Sequence, residues 1–393
     1  MEVLMNDVKK IGFVSMLIFA MAAFSGSVFS QVIHHPNPGD SLEARWDWAK
    51  QEAGRQKLKN GFWVGYSIKR LMREDQYIYS TDKHTISGSH FTNLPKGDPL
   101  NEILSGKIST APLAAEDQVK REAKRALERL ENPEKRENKV WKDIAILYKF
   151  GSSASNVPVA IRASNQYLPF DPEGLPIFWL DRAEDGQSLT ILDSLFTSSS
   201  QEKLKKRILT VAGLHGTSDK AVAFLEKVLQ SREPDTLRSR AALELGDQDH
   251  ERAVSLLHQA AKDDRSFEVR KRSIYGLEDI NLPSATDALI DIAHNGKDKE
   301  IRKKAIDCLA DIASQKTAAA LKNVVEKDED TNIQKRAVYA LEDLPDDEGI
   351  PYLVDIAKTH RKLAIRKAAI YCLGDSEDPR ALQALIQIIK GKK

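Results

Sequence analysis

The sequence predicts a mainly α-helical protein: an α–α superhelix of about six units over residues 204–393, preceded by a small mixed α/β module. Two observations predict it. An aliphatic residue followed by a basic cluster recurs at Leu204, Leu237, Val269, Ile301, Ile333 and Ile365, at intervals of 33, 32, 32, 32 and 32. Each interval also holds two apolar runs at helical spacing, separated by a stretch rich in Asp, Ser, Gly or Pro. Self-similarity at such a period marks an architecture of stacked repeats.

Counted from the anchor, the first helix of a unit is apolar at +4, +5 and +8, as in Ile301, Ala305, Ile306, Leu309 and again in Ile333, Ala337, Val338, Leu341. That spacing draws one stripe on a helix of 3.6 residues per turn. The second helix places Leu at +20 in five units: Leu257, Leu289, Leu321, Leu353 and Leu385. In the first unit the leucine is Leu225 at +21, so its extra residue is expected in the turn around Gly213–Ser218. Turns absorb insertions that helices do not. One helix pair cannot bury both stripes, whereas stacked pairs share a continuous core.

These units resemble the HEAT-repeat family, especially the short bacterial HEAT-like units also found in phycobilin lyases. The likeness rests on the Val/Ile-Arg-x-x-Ala start (Ile301, Arg302, Ala305), the Leu at +8, and the turn from Leu373-Gly374-Asp375 through Asp378-Pro379. It covers about half of the chain and implies an armadillo-type α-solenoid, with almost nothing implied about activity.

Residues 1–30 have the form of a secretory signal peptide: Lys9 and Lys10, an uncharged run from Ile11 to Phe24, then small residues around Val28-Phe29-Ser30. The alternative is an uncleaved inner-membrane anchor, since residues 11–29 are uncharged over a length that spans a bilayer. Either reading exports the chain to the periplasm or the exterior; with the signal cleaved, no stable membrane insertion is expected.

Residues 31–171 are expected to form the mixed module. His34-His35-Pro36-Asn37-Pro38-Gly39 reads as a flexible mature N-terminus, and Asp40 or Ser41 as the cap of a helix through Trp46 and Trp48. Residues 62–68 alternate as a strand, with 76–80 as its hairpin partner. Gly and Pro punctuate 81–113 as a loop, 115–131 has the composition and spacing of a charged helix, and 140–150 and 157–162 read as strands. Stepping one period back from Leu204 gives 172–203, a degenerate capping repeat with Leu180 at +8 and Leu192 at +20, its first helix forbidden by Pro176.

The balance of 59 basic against 58 acidic residues argues against a nucleic-acid binder. Cys308 and Cys372 lie two repeats apart, about 20 Å by the usual spacing of packed helices, so two free buried thiols are expected. No H-E-x-x-H, Cys-x-x-Cys, G-x-S-x-G, P-loop or G-x-G-x-x-G motif occurs, so no catalytic, cofactor or metal residue is assigned.

Three columns run through the array. Arg238, Arg270, Arg302 and Arg366 at +1, with Lys205 in the first unit and Gln334 as the break, are expected to pair with turn acids such as Asp235, Asp264, Asp298 and Asp330, in the manner of the families the units resemble. Tyr275, Tyr339 and Tyr371 share +6, as edge packing or as a partner surface. Gln259, Asp291, Asn323, Asp355 and Gln387 share +22 on second helices, which line the concave surface in resembling families. That last column is the candidate partner-binding set.

The expected function is therefore a non-enzymatic scaffold of the bacterial envelope or exterior that binds a protein or peptide on the solenoid surface. The alternatives are a hydrolase-type enzyme carried by the N-terminal module, or a bilin lyase relative. Self-association through the C-terminal repeat is a further expectation, because Leu385, Ile386, Ile388 and Ile389 have no repeat after them in the sequence.

Overall fold

The computed structural model describes residues 31–73, 76–80, 85–88, 100–105, 139–168, 170–216, 218–312 and 314–391. The expected signal segment, the charged helix 115–131, His84 and His90 lie outside the described residues. No helix among the described residues is long and apolar enough to cross a membrane.

The front module is one mixed sheet of seven strands: β1 (Val32–His34), β2 (Phe62–Arg73), β3 (Tyr77–Ser80), β4 (Thr85–Gly88), β5 (Lys139–Phe150), β6 (Ala160–Asn165) and β7 (Ile177–Arg182), in the order β1-β7-β2-β5-β6-β3-β4. Its spine is the antiparallel pair β2·β5, in unbroken register from Phe62↔Phe150 to Arg73↔Lys139. One face carries Phe62, Val64, Tyr66 and Ile68 against Phe150, Tyr148, Ile146 and Ile144, all fully buried beneath helix α1 (Leu42–Arg55) and the solenoid. On the other face Trp63, Ala145, Leu147 and Trp179 pack with Phe170 and the short helix α2 (Leu100–Leu104). Burial on both sides explains why these strands read as almost continuous apolar runs.

Three sequence expectations change here. The 62–68/76–80 hairpin does not form: β5 and β7 occupy both edges of β2, while β3 pairs with β4 and β6. The stretch after Gln31 is not a flexible end, since β1 pairs in parallel with β7 and His35 is buried edge-on against the Trp48 ring. The first half of the expected capping repeat, where Pro176 already excluded a regular helix, belongs to the sheet as strand β7, and its expected second helix forms as α3 (Asp185–Ser198).

β7 carries a bulge where it leaves the sheet. Its register against β2 shifts between Trp179 and Arg182, with Asp181 at φ 58°. The bulge frees the carbonyls of Leu180 and Arg182, and the buried Arg45 guanidinium donates to both. Two residues later the chain enters α3.

Six helix pairs follow: α4 (Glu202–Gly213) with α5 (Asp219–Leu229), α6 (Asp235–Gly246) with α7 (Glu251–Asp263), α8 (Phe267–Asp279) with α9 (Pro283–Asn295), α10 (Lys299–Ala310) with α11 (Gln315–Lys327), α12 (Thr331–Glu342) with α13 (Ile350–Thr359), and α14 (Leu363–Asp375) with α15 (Pro379–Ile389). Every anchor from Leu204 to Ile365 is buried. Side-chain caps start several helices: Asp298, Ser314, Asp330 and Asp378 accept from N–H groups of the first turn. The turn with the extra residue contains Gly216 at φ 63°.

Neighbouring first helices meet through position +9 of one repeat and +7 of the next. At α6·α8 these are Gly246 and Gly276 and at α4·α6 Gly213 and Glu244, while Ala310 and Ala340, both buried, hold the same register positions in α10 and α12. At the two junctions with a Cys, the thiols of Cys308 and Cys372 face Glu278 and Glu342. Burial first, and the neighbouring carboxylate second, push both thiols well above their ordinary range. Both are free and buried, as expected.

The sheet is welded to the first repeats by a buried polar chain. Tyr148 and Tyr66 hydroxyls lie 2.7 Å apart, Tyr66 Oη and Ser188 Oγ 2.7 Å, and Ser188 Oγ and His215 Nε2 2.8 Å. His215 Nδ1 is 3.0 Å from the Val211 carbonyl, which only accepts, so Nδ1 carries the proton and Nε2 accepts from Ser188. The direction of every bond in the chain follows from that assignment. Arg70 from β2 and Gln248 from the second repeat both donate to the Gly213 carbonyl, at 2.9 Å each. One apolar core runs from Leu42 in the module to Ala381 in the last helix.

Two predictions follow from this packing. A Cβ on Gly246 would stand 2.6 Å from Gly276 Cα, so Gly246→Ala should cost about 1–3 kcal/mol in urea unfolding. Gly374, with nothing within 4 Å of its added Cβ, should tolerate Ala or gain about 0.5–1 kcal/mol. Burial lowers the His215 imidazole to about 4 from 6.5. Its folded pKa lies below its unfolded one, so the stability it contributes is complete above about pH 6.5 and is lost as pH falls through about 4, up to roughly 3 kcal/mol. Burial raises the Glu244 carboxyl, an effect of opposite sign that weakens stability as pH rises. The two effects oppose each other between neutral pH and pH ~4.5, so the test is a difference: on going from neutral pH to pH ~4.5 the urea midpoint of His215→Gln should shift upward relative to the shift of the native chain, and equal shifts in the two proteins would refute the assignment.

Candidate partner-binding surface

The +22 residues do line up, one per repeat, along the second helices. Asp291 accepts from His258 Nε2 of the preceding repeat at 2.7 Å, from Lys262 Nζ at 2.8 Å and from Asn295 Nδ2 at 2.8 Å. Burial works to raise its pKa, but the bonds from Lys262, Asn295 and His258 outweigh it and hold the carboxyl well below the usual range. Asp355 is bridged to Lys322 at 2.7 Å, and Gln387 Oε1 accepts from Lys358 Nζ at 3.1 Å. Three of the five positions thus lace one repeat to the previous one. Gln259, exposed, and Asn323, half-buried, make no side-chain bond to another described residue. Beside them Ile290 and Val354 are half-buried and Ile386 is exposed, a mixed polar and apolar row.

The +1 column is an inter-repeat ladder. Lys205 pairs with Glu233 at 2.6 Å, Arg238 with Asp264, Arg270 with Asp298 at 2.7 Å, and Arg302 with Asp328. Two of the expected acids are replaced by neighbours. Asp330 caps α12 and takes Lys299 at 2.6 Å, and Asp235 accepts from Ser266 Oγ at 3.2 Å. Where Gln334 breaks the column the polarity reverses, with Lys362 Nζ donating to Gln334 Oε1 at 2.7 Å. Arg366 donates to the His360 carbonyl at 2.7 Å.

A row that the sequence reading passed over lies at +10, where the first helix ends: Asp247, Asp279, Asp311, Asp343 and Asp375, all exposed. The signal was present as one residue type at one register position in five units. The +6 tyrosines stand a turn earlier on the same helices, with Tyr371 65% exposed and Tyr339 36%. Between the last two repeats a cavity of about 500 Å³ is lined by Glu342, Asp347, Asp375, Glu377 and Asp378.

Catalytic geometry is approached at one place. Ser188 and His215 stand as a hydroxyl and its base, but Ser188 is fully buried and the Tyr66 hydroxyl occupies its remaining side. Among the described residues no grouping of His, Cys, Asp and Glu suits a metal ion.

A search of curated proteins found no match. Among solved structures, the chain is similar to human deoxyhypusine hydroxylase in complex with glycerol (17% identity, 53% of this chain and 80% of that one, TM-score 0.24). It is also similar to the complex of CpcE and CpcF of phycocyanin lyase from Nostoc sp. PCC7120 (18% identity, 54% and 89%, TM-score 0.29) and to importin beta (14% identity, 54% and 33%, TM-score 0.30). At these identities and scores the likenesses carry no statement about activity. The family pattern described as HEAT repeats matches residues 189–278, 222–310, 256–342 and 318–393. Those overlapping matches span just over half of the sequence, and on them the chain belongs to the HEAT-repeat family.

Proposed function

We propose that the protein is a non-enzymatic interaction scaffold that holds a protein or peptide along its second-helix row. The supporting observation is the row itself: polar side chains in register at Gln259, Asp291, Asn323, Asp355 and Gln387, flanked by the exposed or half-buried apolar groups Ile290, Val354 and Ile386. Short amides and carboxylates at a fixed pitch match the spaced donors and acceptors of an extended backbone, and affinity accumulates over many weak contacts. On this reading Asp291 and Asp355 orient the row through their bridges, while Gln259 and Asn323 are free to meet the partner. Lys9 and Lys10, the uncharged run 11–24 and the small residues up to Ser30 support placing this scaffold in the bacterial envelope or exterior.

The test is capture of partners from the cell envelope with the native chain and with a Gln259→Arg/Asn323→Arg variant as baits. The variant should lose the captured protein while its melting temperature stays within about a degree or two, because neither side chain holds the fold. Undiminished capture by the variant would remove the second-helix row from the account.

A further inference from the structure

The exposed aspartates at +10 sit at the wrong end of their helices. Asp247, Asp311 and Asp343 are C-cap residues, and Asp279 and Asp375 end their helices. A helix C-terminus carries the negative end of the macrodipole and unpaired carbonyls, so acids there are unfavourable and bases are preferred. None of these five helices has a basic residue in its last turn. Asp247 has compensation nearby from Arg70 and Arg240. Asp343 has Arg336 nearby, although that guanidinium is bridged to Asp307; among the described residues no Lys or Arg is bridged to Asp279, Asp311, Asp343 or Asp375, and Arg380 is held by Asp378. Among the described residues their carboxylates cap no backbone N–H of the turn that follows, a common structural use of Asp. Burial, then Asp247 and Glu278, push the Asp279 carboxyl up to about 6, as expected where acids face acids.

Tyrosines accompany the acids. Tyr275, Tyr339 and Tyr371 precede them by one turn on the same face, and the nearby Asp375 charge pushes the Tyr371 phenol above its ordinary range. Exposed or half-buried aromatic rings beside carboxylates that no described base bridges form a surface that attracts cations by charge and by ring quadrupole together. The acid-lined cavity between Glu342 and Asp375 gives one such cation a recess.

We propose that this edge of the solenoid, from Asp279 to Asp375, binds an extended cationic segment of a partner protein with Lys or Arg at every third residue. Pitch selects that spacing. Packed helices lie about 8–10 Å apart, so the acids recur at that interval. A polyproline II chain rises about 3.1 Å per residue with three residues per turn, and so presents every third side chain on one side at roughly 9 Å. A β-strand presents alternate side chains at roughly 6.6 Å and falls out of step. This edge lies on first helices and is independent of the second-helix row, so either assignment can fail alone.

The experiment is fluorescence anisotropy of the full chain with a labelled peptide of repeated Lys-Pro-Pro triplets. The comparison is an isomer of the same composition with its lysines consecutive. The triplet peptide should bind at least about tenfold more tightly than the isomer. The Asp279→Asn/Asp343→Asn/Asp375→Asn variant should lose that binding by a similar factor and melt no lower than the native chain, whereas Gln259→Arg/Asn323→Arg should bind the peptide as the native chain does. Equal affinity for the two peptides, undiminished binding by the triple variant, a lowered melting temperature that gives the acids a structural role, or displacement by spermine at equal charge concentration would each overturn the proposal.

Discussion

The structure depends on an incomplete unit. A helix pair of thirty-two residues carries two apolar stripes and can cover only part of them itself, so each repeat is stable only through its neighbours. The stripes stack into one core, and the +1 ladder, buried at Arg238 and half-buried at Asp264, Arg302 and Asp328, ties each repeat to the next. A buried ion pair contributes little net stability but penalises any arrangement that separates its partners, so here it sets register rather than strength. The reversed pair Gln334·Lys362 keeps a bond at the one junction where the arginine is missing.

A stack of such units needs a cover at its first face, and the sheet module supplies it. Helix α3 lies on α4 and α5 as a second helix would, while β2 and β5 present Tyr66 and Tyr148 to the inner residues Ser188 and His215. Position +11 shows the adjustment. It is apolar at Ile280, Ile312 and Leu344, polar and half-buried at Ser376 in the last repeat, and polar yet buried at His215 and Gln248, the two repeats nearest the sheet. Those two buried polar residues mark where the module docks, and the bulge at Asp181, satisfied by Arg45, turns the last strand into the array. The two helix rows then differ in character. Second helices are laced by side-chain bonds to the +22 column, and from α8 onward first helices end in acids that no described Lys or Arg bridges.

The repeat was fully legible in the sequence because a period of thirty-two residues writes the inside of each helix at the same offsets six times. The module was legible as strands but not as a sheet. Alternation at Val64, Tyr66 and Ile68 shows that a segment is extended, yet pairing is decided by which edge is free, and β5, distant in sequence, takes the edge that nearby β3 was expected to fill. Leu180 illustrates a subtler limit. It stands at the +8 position of a repeat and is fully buried, but a periodic apolar residue says only that it is inside, not whether a helix or a strand carries it. The candidate surface was half legible. The +22 column was visible, but its bridges to His258, Lys262 and Lys322 required the stacking geometry, and the +10 acids acquire meaning only once the helix ends are known.

The claim that module and array share one core has a direct optical test, because all five tryptophans (Trp46, Trp48, Trp63, Trp141 and Trp179) lie in the module. Leu225→Ala opens a cavity in α5, a helix of the first full repeat without tryptophan, and should cost about 2–5 kcal/mol there. If the core is shared, the urea midpoint followed by tryptophan fluorescence moves down together with the midpoint followed by far-ultraviolet circular dichroism. A fluorescence midpoint that stays at its native value while the helical signal melts earlier would contradict the account and make the module and the array two independently folding bodies.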